Sequence, residues 1–337
     1  MKIFIIGGTG LLGSMAAFEF CKKGDEVTTI SLPGLPKGAN FPQEMKIIEG
    51  NYHDMSDEQL LSYMTGFDGF VFAAGVDERG EFPAPIYDAY YKHNVAPVKR
   101  FLSIAKQAGI KKAVILGSYF SFFDRLYPEY RLCETSPYIR SRREQQEAAF
   151  ALAEEGKLDV CVLELPYIFG TQPGRRPVCT VLISRILKMG PATFYPTGGT
   201  AMITARQVGQ VIEGALKKNT GAHRYPIGMY NRTWDEYLKI VHKAMGQPKR
   251  PVIHIPQLMF NLYADGQNAQ LKKNGCEMGI DPKSLGRLMY LNTFIDPDIA
   301  MHFGATPDDI DAAIIDSITV SVKACKGESE LMDMRTK

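Results

Sequence analysis

The chain has 337 residues, 45% hydrophobic and 23% charged, with 39 basic against 37 acidic side chains and a formal charge of +2. This length exceeds one small core, so one large domain or two intimately joined ones are expected, and no Lys/Arg block marks a nucleic-acid partner. Six scattered cysteines (Cys21, Cys133, Cys161, Cys179, Cys276, Cys325) show no CxxC or Cys/His spacing, so they read as reduced thiols and not as a metal site. No apolar run reaches membrane-spanning length, and Met1 runs straight into a strand with no room for a signal peptide, so a cytoplasmic protein with no membrane partner is expected.

The first predicted element is a short apolar strand over 3–6. It enters a loop, Gly7-Gly8-Thr9-Gly10-Leu11-Leu12-Gly13, and a helix follows over 14–23. Strand, glycine turn and helix in this order form a dinucleotide-binding fingerprint. The turn lets backbone approach a pyrophosphate, and the helix N-terminus supplies amide donors and positive dipole. Strands follow over 26–31 and 46–49, with a helix over 57–64 that Ser56 can cap. The run over 68–74 is continuously apolar, as in a buried parallel sheet. A long helix is predicted over 86–108, a strand over 112–116, a helix over 137–154 and another buried strand over 159–165. Such alternation implies an α/β fold, a doubly wound parallel sheet of the Rossmann type with right-handed crossovers.

Beyond Gly170 the pattern loosens into Gly, Pro and Thr clusters at 171–177 and 191–200, with helices over 181–188, 207–217, 234–245 and 308–322. The expected division is a dinucleotide-binding domain over 1–170, to which later segments can return, a smaller substrate-binding lobe over 171–325, and a frayed charged tail over 326–337. A lobe built onto the sheet in this way places a cleft at the carboxyl ends of the strands.

Four features then occur in one order: the glycine loop, Asn94 inside the long helix, Ser118 at the end of the strand over 112–116, and Tyr138-Ile139-Arg140-Ser141-Arg142. With Pro166-Tyr167-Ile168-Phe169-Gly170, which matches a Pro-x-x-x-Gly segment, the chain over about 1–250 resembles the extended, epimerase/dehydratase-like branch of the short-chain dehydrogenase/reductase superfamily. The resemblance implies that Tyr138 is a general acid/base, that Ser118 fixes the substrate oxygen, and that Asn94 organises the helix and a proton-relay water. The family places a Lys four residues after the Tyr, to lower its pKa and hold the nicotinamide ribose. Here that position is Arg142, which keeps the charge and donors but is bulkier, planar and unable to release a proton. Tyr119 and Ser121 remain alternatives to Ser118, because the alignment can slip in Gly117-Ser118-Tyr119-Phe120-Ser121.

Cofactor residues expected from the loop and the resemblance are Gly7, Gly8, Thr9, Gly10, Leu11, Leu12, Gly13, Ser31, Asn51, Ala73, Ala74, Gly75, Tyr138, Arg142, Pro166 and Ile168. The second strand ends in Ser31-Leu32-Pro33, with no acidic residue for a ribose 2′-hydroxyl, which tilts the NAD(P) expectation towards NADP. The branch's Asp-Glu pair after the Ser is replaced by Phe120-Ser121, and its Arg-Asp-Phe segment by Ala201-Met202-Ile203 with Gln207. Phe120, Phe122, Phe123, Tyr127, Tyr130 and Tyr167 suggest a fairly apolar pocket for a small-molecule substrate. Arg175 and Arg176 can meet an anionic group, although a solvated pair is the simpler reading. An NAD(P)-dependent oxidoreductase or epimerase is expected, with a dinucleotide-binding sensor that has lost turnover as the alternative. A homodimer is compatible with either.

Overall fold

In chain order the strands are β1 (Lys2–Ile6), β2 (Glu26–Ser31), β3 (Lys46–Glu49), β4 (Gly69–Phe72), β5 (Lys112–Ser118), β6 (Asp159–Leu165), β7 (Tyr167–Phe169), β8 (Thr193–Tyr195), β9 (Gly199–Thr204), β10 (Ala222–Pro226), β11 (Tyr230–Thr233), β12 (Val252–His254) and β13 (Asn292–Thr293). The structure is a computed structural model that describes residues 1–79, 82–329 and 331–333. Seven strands form one sheet in the order β10-β6-β5-β4-β1-β2-β3, with every neighbouring pair parallel. This is the Rossmann arrangement expected from the alternating pattern. All residues of β4 and β6 are buried, which explains their apolar character; the two acids of β6, Asp159 and Glu164, are paired with Lys112 and Arg125. The strand order reverses between β1 and β4, and their carboxyl ends open a crevice there.

Both sheet faces are covered. Ala16, Ala17 and Phe20 of the helix Leu11–Lys22 pack on one face with Val208, Val211 and Leu216 of the helix Ala205–Lys218. The helices Asp57–Met64, Ala96–Gln107 and Pro137–Leu152 cover the other through Leu60, Phe101, Leu102 and Ala149. The helix Ala205–Lys218 starts at a capping box, in which Thr204 and Gln207 satisfy each other's end-of-helix amides. That helix and β10 bring the chain back to the seven-stranded sheet after an excursion through β7, β8 and β9. Two small sheets, β11-β9-β13 with β7 on β9 and β12-β8, lie outside the seven-stranded sheet.

The single helix predicted over 86–108 is helical without a gap over 87–107 but changes type along its length. A four-residue turn Tyr87–Tyr90 runs into a π-helical turn Tyr91–Val95 and then the helix Ala96–Gln107. Pro97 sits in the first turn of that last helix and has no N–H to give back to residue 93, so the i to i−4 ladder cannot pass through. The helices Gln257–Lys273 and Pro282–Met289 lie in a stretch for which no helix was predicted. The first buries only Ala264, while Leu258, Met259, Leu262 and Tyr263, at helical spacing, form an exposed apolar stripe over its first half.

The helices Leu11–Lys22 and Ala205–Lys218 touch backbone to backbone, because a Cβ on Gly209 would lie 2.5 Å from the Met15 carbonyl oxygen. Replacing Gly209 by Val must push the two helices apart and should cost about 1–3 kcal/mol. Urea unfolding of the variant checks this, with a midpoint clearly below that of the wild type as the expected outcome.

Candidate active site

A cavity of about 400 Å³ lies at the carboxyl ends of β1, β2 and β4. Its floor is the glycine loop. Gly7 has φ +91°, and a Cβ there would sit 2.7 Å from the Ala73 carbonyl oxygen, so only glycine permits this approach of β1 to the β4 exit. Gly10 precedes the helix Leu11–Lys22 with no side chain capping it. The first-turn amides of that helix are therefore available to an anion. The anticipated residues Gly7, Thr9, Gly10, Leu11 and Leu12 all line the cavity, as do Ser31, Asn51 and Ile168. Ala73, Ala74 and Gly75 form the opposite wall. Gly8, Gly13, Pro166, Tyr138 and Arg142, also expected at the cofactor, are not among its lining residues. A Cβ on Gly8 would meet Thr29 Oγ1 at 2.7 Å and one on Gly13 would meet the Gly7 oxygen at 2.2 Å, so these two glycines allow close packing behind the loop.

Several contributors were not legible in sequence. Gln172 Nε2 donates to the Thr9 and Asn40 carbonyl oxygens at 3.3 and 2.8 Å and ties the loop to the segment after β2. Tyr52, His53 and His93 line the end near Asn51, whose Oδ1 accepts from the His53 amide at 3.1 Å. Burial, with His53 and Lys92 beside it, lowers the His93 pKa to about 4, so this imidazole is neutral at physiological pH. Ser31 Oγ shares a 2.9 Å hydrogen bond with Thr9 Oγ1 and so braces the loop.

Ser118 closes β5, Tyr138 is the second residue of the helix Pro137–Leu152, and Arg142 follows one turn later. The fold brings the three together. The Arg142 guanidinium carbon lies 5.1 Å from the Tyr138 ring centroid. Burial pushes the Tyr138 phenol up, the Arg142 charge pulls it down, Glu78 pushes it up again, and hydrogen bonds to Ser118 and Arg142 lower it. The net shift is upward, against the expectation that a neighbouring cation would depress it: the ring is only 4% exposed, and desolvation of the phenolate outweighs the guanidinium. Of the candidate hydroxyls Ser118 is the one that lowers the Tyr138 pKa, whereas the Tyr119 hydroxyl is engaged with Thr200 Oγ1 at 2.9 Å.

Arg142 is itself largely committed. Nη1 donates to the Leu116 oxygen at 3.4 Å and to Gln145 Oε1 at 3.1 Å, and Nη2 donates to the Val76 oxygen at 3.3 Å. It thereby ties the ends of β4 and β5 together against the cavity wall, and a Cβ on Gly75 would be 3.6 Å from Nη1. Asn94 Oδ1 accepts from the Val76 amide at 2.8 Å, and its Nδ2 donates to the Val76 oxygen at 3.0 Å and to Ser141 Oγ at 3.3 Å. These bonds pin the turn after β4.

The six aromatics expected to line a pocket instead join one packed cluster with Tyr90, Tyr138 and Leu288, and none of them lines the cavity. Gln207, one of the departures noted in sequence, is absorbed by its capping box and by bonds to the Tyr230 hydroxyl and the Thr306 oxygen. Glu78 was missed altogether. Its carboxyl is half-buried beside Asp77, and burial with that neighbouring charge raises its pKa to about 7. No motif surrounds it, and only the turn after β4 brings it near Tyr138.

The sequence model of the NAD-dependent epimerase/dehydratase family matches residues 3–216. The chain belongs to that family. A UDP-glucose 4-epimerase from Corynebacterium glutamicum is 32% identical over 117 residues, 34% of each chain. Another from Klebsiella pneumoniae is 24% identical over 132 residues, 37% of this chain and 94% of the relative. The chain thus spans about a third of the length of the first of these relatives. Among solved structures, gox2253 superposes with a TM-score of 0.74 at 16% identity, covering 98% of this chain and 99% of that one. MoeE5 in complex with UDP-glucose and NAD gives 0.65 at 16% identity, over 96% and 99% of the two chains. At these identities the likeness concerns the fold, a Rossmann-type α/β architecture. No helix among the described residues is long and apolar enough to cross a membrane.

The raised pKa of Glu78 makes a stability prediction. The folded chain holds this proton up to about pH 7, whereas an unfolded carboxyl releases it near its ordinary value of 4.5. Stability from this group is therefore intact below pH 4.5 and falls as pH rises to about 7, after which the loss is constant. Glu78→Gln should be more stable than wild type at pH 8, with the gain fading towards pH 4.5. Melting temperatures of both proteins across that range check it.

Proposed function

We propose that the chain is an NAD(P)-dependent oxidoreductase or epimerase acting on a carbonyl or secondary alcohol, with Tyr138 exchanging the proton of the substrate oxygen and Ser118 orienting that oxygen. The observation that carries this is the meeting of Ser118, Tyr138 and Arg142 at the end of β5, against the wall formed by Gly75 and Val76. A bound nicotinamide dinucleotide would supply the hydride acceptor or donor. Gly7, Gly10 and the amides of Leu11 and Leu12 would hold its pyrophosphate, Ser31 and Asn51 would flank the adenosine, and Ala73, Ala74 and Gly75 would pass the ribose as bare backbone. The spacing left by Gly7 and the uncapped helix start both suit that group.

Tyr138, kept protonated by burial, is a proton donor for a carbonyl oxygen. In the alcohol direction it must accept, and the Arg142 charge then stabilises the phenolate that forms. The family and the NAD-bound MoeE5 support NAD as a cofactor. The missing carboxylate after Ser31 supports acceptance of NADP as well. Nucleotide sugars are the first substrate class to test, on the strength of the UDP-glucose 4-epimerase relatives. A second reading, a dinucleotide-binding sensor, draws support from Arg142 Nη1 and Nη2 already being engaged by Leu116, Gln145 and Val76, which leaves Nε without a partner among the described residues.

Gly10→Val places a branched side chain where the phosphate would sit. Loss of dinucleotide binding in a folded protein is expected, and fluorescence titration checks it. Tyr138→Phe should abolish turnover in a screen of nucleotide sugars and simple alcohols while leaving dinucleotide affinity nearly unchanged, since only the hydroxyl is removed. Arg142→Lys then separates enzyme from sensor. A rate preserved or raised in this variant marks a working site, and no turnover in either wild type or variant marks the sensor.

A further inference from the structure

The cavity wall formed by residues 170–179 is held by the end of the chain. The Gly170 amide donates to Ser317 Oγ at 2.9 Å, and Thr171 Oγ1 donates to Asp316 Oδ2 at 2.5 Å, both partners being on the helix Ile310–Cys325. Farther on, the Met332 amide donates to the Gly174 oxygen at 2.8 Å and the Arg176 amide donates to the Met332 oxygen at 3.1 Å. Arg176 Nε lies 2.6 Å from Asp333 Oδ1. Arg175, Arg176 and Met332 all line the cavity. Residues 331–333, inside a tail expected to fray, are therefore paired with this wall, while residues 330 and 334–337 lie outside the described residues.

The same loop packs on the segment that leaves β2. A Cβ on Gly174 would sit 2.6 Å from Pro36 Cβ and 2.9 Å from the Lys37 oxygen, and Gln172 donates to the Asn40 oxygen. Leu32, Gly34 and Leu35 of that segment share the cavity with the two arginines. The end of β2 is where a Rossmann fold meets the adenosine ribose. Here that end offers Ser31, Leu32 and Pro33, neither acid nor base. Of the cavity's other cations, Arg79 is held by Asp77, with Nε to Oδ2 at 3.0 Å.

Building on the dinucleotide-binding reading above, we propose that Arg176 recognises a phosphate on the 2′ position of the adenosine ribose, and that Asp333 competes with this phosphate for the guanidinium. Arg176 and Asp333 are 36% and 71% exposed, and so exposed a pair contributes little by itself. A phosphate dianion offers the planar fork more charge and more acceptor oxygens than one carboxylate does. The backbone bonds of Met332 keep the wall in place whichever anion Arg176 holds. Asp333 thus lowers the affinity for a 2′-phosphorylated nucleotide without touching the pyrophosphate site.

Calorimetric titration of the full chain with 2′,5′-ADP and with 5′-ADP tests this without any turnover. Arg176→Ala should weaken 2′,5′-ADP by about tenfold or more and leave 5′-ADP within about twofold, as loss of one charge-assisted contact predicts. Asp333→Asn should strengthen 2′,5′-ADP by about threefold or more with 5′-ADP unchanged, an effect that added salt shrinks. Parallel loss of both nucleotides in Arg176→Ala, or no loss of either, overturns the assignment, and an unchanged ratio in Asp333→Asn overturns the competition. A wild-type chain that binds neither nucleotide overturns the dinucleotide reading itself, a result distinct from all of these.

Discussion

The approach of Gly7 to the Ala73 carbonyl oxygen is the constraint on which the rest of the site depends. It brings the exits of β1 and β4 to within one backbone thickness at the place where the strand order reverses. Gly13 continues the constraint, since a Cβ there would run into the Gly7 oxygen, so the helix Leu11–Lys22 starts directly above the strand it follows. Beside these two contacts lies a cleft with amide donors on one side and the bare backbone of Ala73, Ala74 and Gly75 on the other. The turn after β4 is then fixed twice over, by the Asn94 amide on both polar groups of Val76 and by the Arg142 guanidinium on the Val76 oxygen. The cofactor cleft and the Ser118–Tyr138 pair consequently share a single wall.

How much of this was legible follows from the range of the interactions involved. The glycine loop, the alternation of β1 to β6 with their helices, and the Ser118, Tyr138 and Arg142 set rest on local patterns, spacing or a family resemblance, and the fold assembles them as expected. What stayed hidden depends on contacts distant in sequence. Gln172 reaches Thr9 across 163 residues, and Met332 meets Gly174 from the chain end. Neither leaves a mark in its own neighbourhood. The π-helical turn Tyr91–Val95 could have been suspected from Pro97, because proline in a long helix always removes one rung. The aromatic run over 119–130 packs in one cluster with Tyr138, and composition reports that rings are abundant but not whether they face each other or a ligand.

The pair of Tyr138 and Arg142 shows how burial and charge divide the control of one proton. Desolvation holds the phenol protonated, and the guanidinium subtracts part of that effect without reversing it. A lysine in the same place would carry the desolvation cost on a group able to shed its own proton, so two coupled titrations would govern the site. Arginine cannot discharge, so the cation is constant and the changes of charge beside it come from Tyr138 and Glu78. The guanidinium obtains part of its solvation from the Leu116 and Val76 carbonyl oxygens and from Gln145, so its charge persists in a nearly dry site at the expense of free donors. A cation held in this way is well suited to stabilising charge on Tyr138 and less suited to gripping ribose hydroxyls. On the dinucleotide-binding reading, cofactor grip would therefore fall to the glycine loop and to the wall built by residues 170–179, which Met332 and Asp333 contact.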